Sequence, residues 1–290
     1  MLDPHPIYEQ ILWEALGPLT QLKSASLIAA GNHNQGVKLE TSQGHFFLKL
    51  NFDHERDILI KEAQGLKILQ KSTFLKVPNV FSHGRIEDYN YLLSEFIPGS
   101  RQHLDYWEDL GLGLAHLHLN SSKHFGLETD NYIASLHQKN HPFDNWLDFF
   151  IEERLEPMLG KAYFDRLIPL DFLKKFQTIY PKLESLFPKE KPALLHGDLW
   201  SGNVICDREG KPCLIDPAIY FGHREMDLAF SRLFGGFDTR FYEAYESILP
   251  LEPGFESRMG IYNLYPLLVH LNLFGTAYLP GIEKILHRFQ

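Results

Sequence analysis

One segment in the C-terminal half of the chain constrains the fold more than any other. Its polar motif, His-Gly-Asp-Leu-Trp-Ser-Gly-Asn, occupies residues 196–203. Two short apolar stretches follow, at residues 204–206 and 212–215, with the turn-forming sequence Asp-Arg-Glu-Gly between them. This pattern is typical of a β-hairpin. It would bring Asn203 and Asp216 to the outer ends of two paired strands, where both can converge on one cation.

The spacing of three residues in this segment matches the way kinase-like folds place their catalytic groups. Asp198, Asn203 and Asp216 stand five and thirteen residues apart. In protein kinases the first Asp accepts the hydroxyl proton, and the Asn and a later Asp hold magnesium. The same residue types also form turns and helix caps, but the flanking strands favour catalysis. We therefore predict a phosphotransferase that uses ATP and Mg²⁺, with Asp198 as the proton acceptor.

Composition and charge exclude several classes of protein. With 290 residues, the chain can form one large domain or two lobes with substantial cores. The formal net charge of −9 argues against a nucleic-acid partner, because phosphate backbones are bound through clustered Lys and Arg. The sequence has no run of eighteen apolar residues and no basic stretch followed by an apolar core at its N-terminus. We therefore expect a cytoplasmic protein without a membrane anchor.

Hydrophobic periodicity changes near residue 97. Before this point the pattern predicts a short helix, three strands, a second helix and a strand hairpin, at 6–16, 26–29, 37–40, 45–50, 55–70 and 84–96. After it the pattern is almost wholly helical, at 104–119, 143–159, 170–186, 226–234, 239–248 and 255–274. The sequence thus predicts a bilobal α+β, protein-kinase-like fold. Residues 1–97 would form an antiparallel-sheet lobe, 98–290 a larger, mainly helical lobe, and about 94–99 the linker.

Lys49 and Glu62 are candidates for phosphate binding in the first lobe. Lys49 lies on the third predicted strand, and Glu62 lies on the helix that follows. In kinase-like folds a strand Lys contacts the nucleotide phosphates and is oriented by a helix Glu. Gly31 and Asn32 begin a polar loop that ends at Gly36. This loop lies between two predicted strands just before Lys49, the position of a phosphate-covering loop, although it lacks the G-x-G-x-x-G pattern. A solvated strand Lys and an ordinary hairpin turn are the alternatives.

Other candidates lie in the predicted linker and around the catalytic motif. The extended backbone of Ser94, Glu95 and Phe96 is predicted to pair with the adenine edge of the nucleotide. We expect His196 to be a structural hydrogen-bonding residue, since a His on such a loop is more often structural than a proton acceptor. Asp227 is expected to cap the following helix or to brace the catalytic loop.

Several further segments together resemble the fructosamine kinase (ketosamine-3-kinase) family. These segments are residues 125–135, 144–155, 216–229 and 233–237, so the resemblance covers nearly the whole chain. The family has the aminoglycoside-phosphotransferase variety of the kinase-like fold. The sequences Asp-Asn-Tyr-Ile, within the first segment, and Gly-His-Arg-Glu, within the third, separate it from choline and aminoglycoside kinases. The loop at residues 29–33 departs from the family by being less rich in glycine.

The resemblance implies transfer of the ATP γ-phosphate to the 3-hydroxyl of a ketosamine, the adduct formed when a sugar glycates an amine. The implied role is deglycation, acting on small-molecule ketosamines or on glycated protein amines. Trp200 is the main candidate for substrate contact, because a flat aromatic ring can stack on a sugar; a core Trp between the lobes is the alternative. Asp130, Tyr132 and His223 are weaker candidates, and His223 is also a candidate for a structural role. The alternatives are a kinase for another hydroxyl acceptor, such as an aminoglycoside or a choline-like alcohol, and a nucleotide-binding pseudokinase.

Overall fold

The protein is described by a computed structural model that covers residues 6–30, 34–53 and 56–289. It has the predicted α+β fold. The helices are α1 (Pro6–Leu16), α2 (Ile58–Ser72), α3 (Tyr106–His118), α4 (Trp146–Phe149), α5 (Glu156–Phe164), α6 (Leu170–Leu183), α7 (Glu225–Leu233), α8 (Thr239–Ile248), α9 (Phe255–Phe274) and α10 (Leu279–Phe289). Across these three ranges, no helix is long and apolar enough to cross a membrane.

The strands form one large sheet and three small pairs. They are β1 (Leu22–Ala30), β2 (Asn34–Thr41), β3 (Gly44–Asn51), β4 (Val80–Ile86), β5 (Tyr89–Glu95), β6 (Asn131–Ile133), β7 (Leu136–Gln138), β8 (Ala193–Leu195), β9 (Val204–Cys206), β10 (Pro212–Leu214) and β11 (Tyr220–Gly222). The large sheet has the order β1-β2-β3-β5-β4, and all its neighbours are antiparallel. The small pairs are β6 with β7, β8 with β11, and β9 with β10.

Alternation along the strands gives the large sheet one face that packs against α1. Val37 and Leu39 of β2 and Leu48 and Leu50 of β3 are buried in a core that α1 completes, with Ile11 among its contacts. Each fully buried aliphatic side chain stabilises the fold by about 1.5–3 kcal/mol. Because successive side chains of a strand point to opposite faces, Lys49 projects from the other face of β3. The register of the sheet therefore decides which surface carries this lysine.

The described residues divide into two compact units. The first comprises those up to Asp109 together with Val204–Pro217, so it contains the large sheet and the β9–β10 hairpin. The second comprises Leu110–Asn203 and the described residues from Ala218 onward. In the second unit, α9 is the central helix, with buried residues along most of its length. A π-helix at Phe150–Leu155 joins α4 to α5 without a break.

Candidate active site

A cluster of three charged side chains occupies the polar face of β3 in the first unit. Lys49 Nζ donates to Glu62 Oε1 over 2.8 Å and to Asp216 Oδ1 over 2.6 Å. Strand alternation aims Lys49 away from the core, and Glu62 lies within α2, thirteen residues further along the chain. Asp216 follows β10 and has a left-handed backbone, with φ of 53°. An Asp tolerates this conformation better than most residues.

Opposing effects act on the protonation of Lys49. Burial tends to lower the pKa of its ammonium group, but the negative charges of Asp216 and Glu62 and their hydrogen bonds outweigh burial and raise the pKa above the usual value. Lys49 is therefore fully protonated at neutral pH. A protonated amine held between two carboxylates is suited to contact an anionic ligand such as a phosphate.

The same cluster lies in the wall of a cavity of about 330 Å³ within the first unit. This volume is in the range of small-molecule sites. Much of the remaining lining is apolar: Ile28, Phe47, Leu66, Pro78, Phe96, Ile97, Ile205 and Ile215. Ser94 and Glu95 also line the cavity, so the structure brings the linker candidates to the same cavity as Lys49. A pocket with apolar walls and a charged cluster can hold an aromatic base and a phosphate chain.

Two residues predicted to cover the phosphates, Gly31 and Asn32, lie outside the described residues. The part of their loop that is described begins at Asn34, the first residue of β2. Their role stays a prediction.

In the second unit, one buried carboxylate holds the backbone of the catalytic motif. Asp227 Oδ2 accepts the backbone N–H of His196 over 2.8 Å, and Oδ1 accepts that of Gly197 over 2.9 Å. The side chain of Asp227 is 2% exposed. Two N–H groups bound by one carboxylate fix the peptide planes just before Asp198. Asp227 therefore holds this part of the backbone in place, and its role in supporting catalysis stays a prediction.

The position of Gly197 accepts only glycine, because the catalytic motif passes very close to the backbone of Ala218 there. Its φ is 82°, and a Cβ added there would come within 2.0 Å of the carbonyl oxygen of Ala218. Ala218 N–H in turn donates to the carbonyl oxygen of His196 over 2.9 Å. Both the dihedral angle and the close contact exclude a side chain at this position.

Asp198 and Asn203 are joined directly within the second unit. Asn203 Nδ2 donates to the Asp198 carbonyl oxygen and to Asp198 Oδ2, both over 2.8 Å. Among the groups in the described ranges, none donates to Asn203 Oδ1, so this oxygen is available as a ligand for a cation. The bond to Oδ2 also orients the Asp198 carboxylate.

Trp200 lies on the same loop with its indole ring packed over Gly202. A Cβ at Gly202 would come within 2.2 Å of the indole ring, so the glycine makes room for it. The side chain remains 39% exposed. An indole held against the backbone with one part open to solvent offers a stacking surface beside Asp198.

A histidine that the sequence analysis did not single out completes the support of this loop. His118, at the end of α3, places Nε2 3.2 Å from Asp227 Oδ2 and Nδ1 2.8 Å from the hydroxyl oxygen of Tyr245. An Nε2–H donor toward the carboxylate leaves Nδ1 to accept from Tyr245. All three side chains are buried. His118 falls within a predicted helix, but no sequence signal marks it, because its partner lies 109 residues away.

The weaker substrate candidates have the following surroundings. Asp130 accepts the backbone N–H of Asn140 over 2.9 Å and lies 3.3 Å from His137 Nε2. Tyr132 packs its ring edge against His137. His223 is buried, stacks on Trp146 with 4.7 Å between ring centres, and bonds to the Tyr262 hydroxyl.

The environment of His223 keeps its ring neutral. Burial, together with the charges of Arg258 and Arg224, lowers the pKa of His223 to about 3. These contacts are those of a residue that packs the interior of the second unit.

The comparison with known sequences is consistent over the whole chain. The model of the family described as fructosamine kinase matches residues 5–290. A protein of Enterococcus faecium named "Probable ketoamine kinase" is 39% identical over 90% of this chain and 94% of its own length. The chloroplastic protein-ribulosamine 3-kinase of Arabidopsis thaliana is 36% identical over 98% of this chain and 87% of its own length.

Solved structures agree with the fold. A crystal structure of a fructosamine-3-kinase relative from Thermobifida fusca superposes with a TM-score of 0.87, at 30% identity over 97% of each chain. An aminoglycoside phosphotransferase in complex with AMP-PNP and hygromycin B has a TM-score of 0.66 at 17% identity, over 97% of this chain and 98% of its own. At this low identity, the similarity to the aminoglycoside phosphotransferase shows only that the fold is kinase-like.

Proposed function

Because the chain belongs to the fructosamine kinase family, we propose that it transfers the γ-phosphoryl group of ATP to the 3-hydroxyl of a ketosamine. The observation that carries this proposal is the catalytic loop, in which Asp227 fixes the backbone and Asn203 orients the Asp198 carboxylate. Relatives named for ketoamine and ribulosamine phosphorylation support the choice of acceptor.

We assign the nucleotide to the 330 Å³ cavity of the first unit. The apolar walls would enclose the adenine base, with the backbone of Ser94, Glu95 and Phe96 along its edge. Lys49, positioned by Glu62, would neutralise charge on the phosphates. Gly31 and Asn32 would cover the phosphates with backbone N–H groups. We retain the division into a nucleotide lobe at 1–97 and a catalytic and substrate lobe at 98–290 as part of this proposal.

Asn203 and Asp216 are the proposed magnesium ligands. The donor set fits the ion, since Mg²⁺ prefers oxygen ligands and usually combines one or two carboxylates with substrate phosphates. Among the residues that the structure describes, no group donates to Asn203 Oδ1, and the Asp216 side chain is 44% exposed. No group of three or more His, Cys, Asp or Glu side chains in the described part of the chain forms a separate metal site. When bound, the ion would neutralise charge on the nucleotide phosphates.

Asp198 would accept the proton of the attacking hydroxyl. The sugar oxygen forms a bond to the γ-phosphorus as the bond to the β–γ bridging oxygen breaks, and ADP leaves. Trp200 would stack on the sugar. Asp130 and Tyr132 stay weaker candidates for the same pocket, and we assign His196, His223 and Asp227 to its support.

The biological role that follows is deglycation. Phosphorylation at the 3-hydroxyl makes the adduct labile, so the amine is recovered. The name of the Arabidopsis relative includes a protein substrate, and we propose both free ketosamines and glycated protein amines as substrates. The cytoplasmic location predicted from the sequence also stays a prediction.

An acceptor panel tests the proposed function. Purified protein with ATP and Mg²⁺ should release ADP in the presence of ribulosamines, erythrulosamines or fructosamines, and not with hygromycin, choline or water alone. Omitting Mg²⁺ should abolish the reaction. Turnover with an aminoglycoside or choline, and with none of the ketosamines, would show that the acceptor is not a ketosamine. Binding of ATP without turnover of any acceptor would indicate a pseudokinase.

A substitution at His118 tests the support of the catalytic loop. His118→Leu should lower kcat by roughly tenfold to a hundredfold, because Asp227 loses a charge-assisted hydrogen bond worth about 1.5–3 kcal/mol. The KM for ATP should stay near the wild-type value, since the nucleotide contacts belong to other residues. Steady-state kinetics together with a thermal unfolding curve would check this.

The matched control for this substitution is Tyr245→Phe. It removes the other hydrogen bond of His118 and a longer one, of 3.5 Å, that the Tyr245 hydroxyl accepts from Arg224 Nη1, and it should affect kcat less. If His118→Leu lowers the unfolding temperature but leaves kcat unchanged, the positioning role is wrong.

A further inference from the structure

Four aromatic side chains of the second unit form a partly exposed cluster, which we call the aromatic surface: Phe234, His270, Phe274 and Tyr278. The centre of the His270 ring lies 4.8 Å from that of Phe234, 5.5 Å from Phe274 and 5.1 Å from Tyr278. Phe274 is 65% exposed and Phe234 is 45% exposed. Phe274 is the last residue of α9 and Phe234 directly follows α7, and the packing of neither helix requires a phenylalanine so open to solvent. Clustered exposed aromatic rings mark binding sites.

The aromatic surface is connected to the catalytic loop by two contacts. Phe230 lines a small cavity together with Gly197 and Asp227, and its ring lies 6.0 Å from Phe234 and 6.3 Å from His270. In addition, a Cβ at Gly236 would come within 2.8 Å of the Ser201 side chain. Ser201 adjoins Trp200, and Gly236 lies two residues beyond Phe234. One edge of the aromatic surface, at Phe234, therefore lies next to the loop that carries Asp198.

The electrostatic character of the aromatic surface suits a cation. His270 Nδ1 lies 2.7 Å from the carbonyl oxygen of Pro266, so this nitrogen carries the hydrogen. Burial lowers the pKa of His270, against a smaller opposing effect of that hydrogen bond, and the ring is therefore uncharged at neutral pH. Arg232, two residues before Phe234, is paired with Glu256. Aromatic faces attract ammonium groups, and the net charge of −9 favours a positively charged ligand.

The chemistry of a ketosamine supplies such a group at a suitable position. Its amine nitrogen is bonded to carbon 1 of the sugar, so it lies close to the 3-hydroxyl that receives the phosphoryl group. This secondary amine carries a proton at neutral pH, and in the proposed binding mode its substituent would extend from the acceptor site beside the catalytic loop.

We propose that the aromatic surface binds the amine stem of the substrate, and that the preferred stem is the aliphatic chain of a glycated lysine. This inference rests on the proposed function and adds a second subsite to it, beyond the sugar position at Asp198 and Trp200. The rings would contact both the ammonium group and the methylene groups that follow it.

Two ribulosamines that differ only in their amine test the proposal: the adduct of methylamine and the adduct of Nα-acetyl-lysine. The wild-type protein should show the lower KM for the lysine adduct. Phe274→Ala should raise the KM for the lysine adduct about threefold to fivefold. It should leave kcat for both adducts unchanged and should raise the KM for the methylamine adduct less, because that adduct carries the ammonium group without the methylene chain. Phe234→Ala should act in the same direction, and Phe274→Trp should retain the wild-type preference.

The matched control is Phe164→Ala, which removes an 85% exposed phenylalanine at the end of α5, outside the aromatic surface. It should leave both KM values unchanged. Equal wild-type KM values for the two adducts, or an unchanged KM ratio in both alanine variants, would overturn the second subsite and leave the proposed function intact. Failure of the wild-type protein to phosphorylate either adduct would overturn the proposed function, and this inference with it.

Discussion

Asp198→Ala should lower kcat for ketosamine phosphorylation by about a hundredfold to ten-thousandfold, the usual contribution of a positioned general base. The Asp198 carboxylate is the group that would accept the hydroxyl proton. Its neighbours in the motif cannot replace it, since His196 Nδ1 already accepts the Asp198 backbone N–H over 3.3 Å and Asn203 does not accept protons at neutral pH. Affinity for ATP should change little, because Lys49, Glu62 and the cavity walls are untouched. Single-turnover kinetics and direct titration with ATP would measure the two quantities separately.

Two further variants separate chemistry from folding in this experiment. Asp198→Asn keeps a side chain of similar size beside Asn203 but cannot accept a proton, so its kcat should fall as far as that of the alanine variant. Asp171→Ala removes an 87% exposed carboxylate of α6 and should behave as wild type. If Asp198→Asn keeps more than about a tenth of the wild-type kcat, Asp198 is not the proton acceptor.

Some elements are predictable from the sequence because their ends carry local signals. The bounds predicted for α8 and α9 agree with the structure at both ends. Asp238 caps α8 by accepting the backbone N–H of Arg240, and glycines with positive φ flank α9 at Gly254 and Gly275. Cap residues depend on neighbours in the chain, so they can be read without a structure.

Other elements leave no such signal. The strands β6, β7, β8 and β11 have three residues each, too few to show a period of two. β8 and β11 also depend on pairing between segments that are far apart in the chain. The helix α10 was also missed. It buries only Ile282 and Leu286, and its first turn contains Pro280 and Gly281, residues that usually mark turns. Proline is nevertheless tolerated in the first turn of a helix.

The candidate site also has a part that the sequence predicts and a part that only the structure reveals. A motif with fixed spacing identifies Asp198, Asn203 and Asp216. The predicted strand and the helix that follows it identify Lys49 and Glu62 as a candidate pair. The structure adds contacts that spacing cannot predict. The bond from Lys49 to Asp216 joins residues 167 positions apart, and the support of Asp227 by His118 joins residues 109 apart. Such pairs depend on the tertiary fold, and a single sequence contains no record of them.

Lys49→Met should reduce kcat/KM for ATP by roughly a hundredfold to a thousandfold, because it removes the only positive charge of the cluster formed with Glu62 and Asp216 among the described residues. The loss should appear mainly in phosphoryl transfer, with a smaller rise in the KM for ATP. Methionine keeps an unbranched apolar side chain that is only one heavy atom shorter than lysine, so the strand and the sheet core should remain intact. Steady-state kinetics at varied ATP concentration would measure both parameters.

The same substitution should also lower the free energy of unfolding, by about 1–3 kcal/mol, because Glu62 stays largely buried without its partner. The double variant Lys49→Met, Glu62→Gln removes that unpaired charge and should recover much of the stability without recovering activity. Lys161→Met breaks an ion pair of 2.7 Å between Lys161 of α5 and Asp165, the residue that follows this helix, and should leave activity unchanged. Recovery of activity in the double variant would mean that Lys49 acts only by neutralising Glu62, and that its proposed contact with the phosphates is wrong.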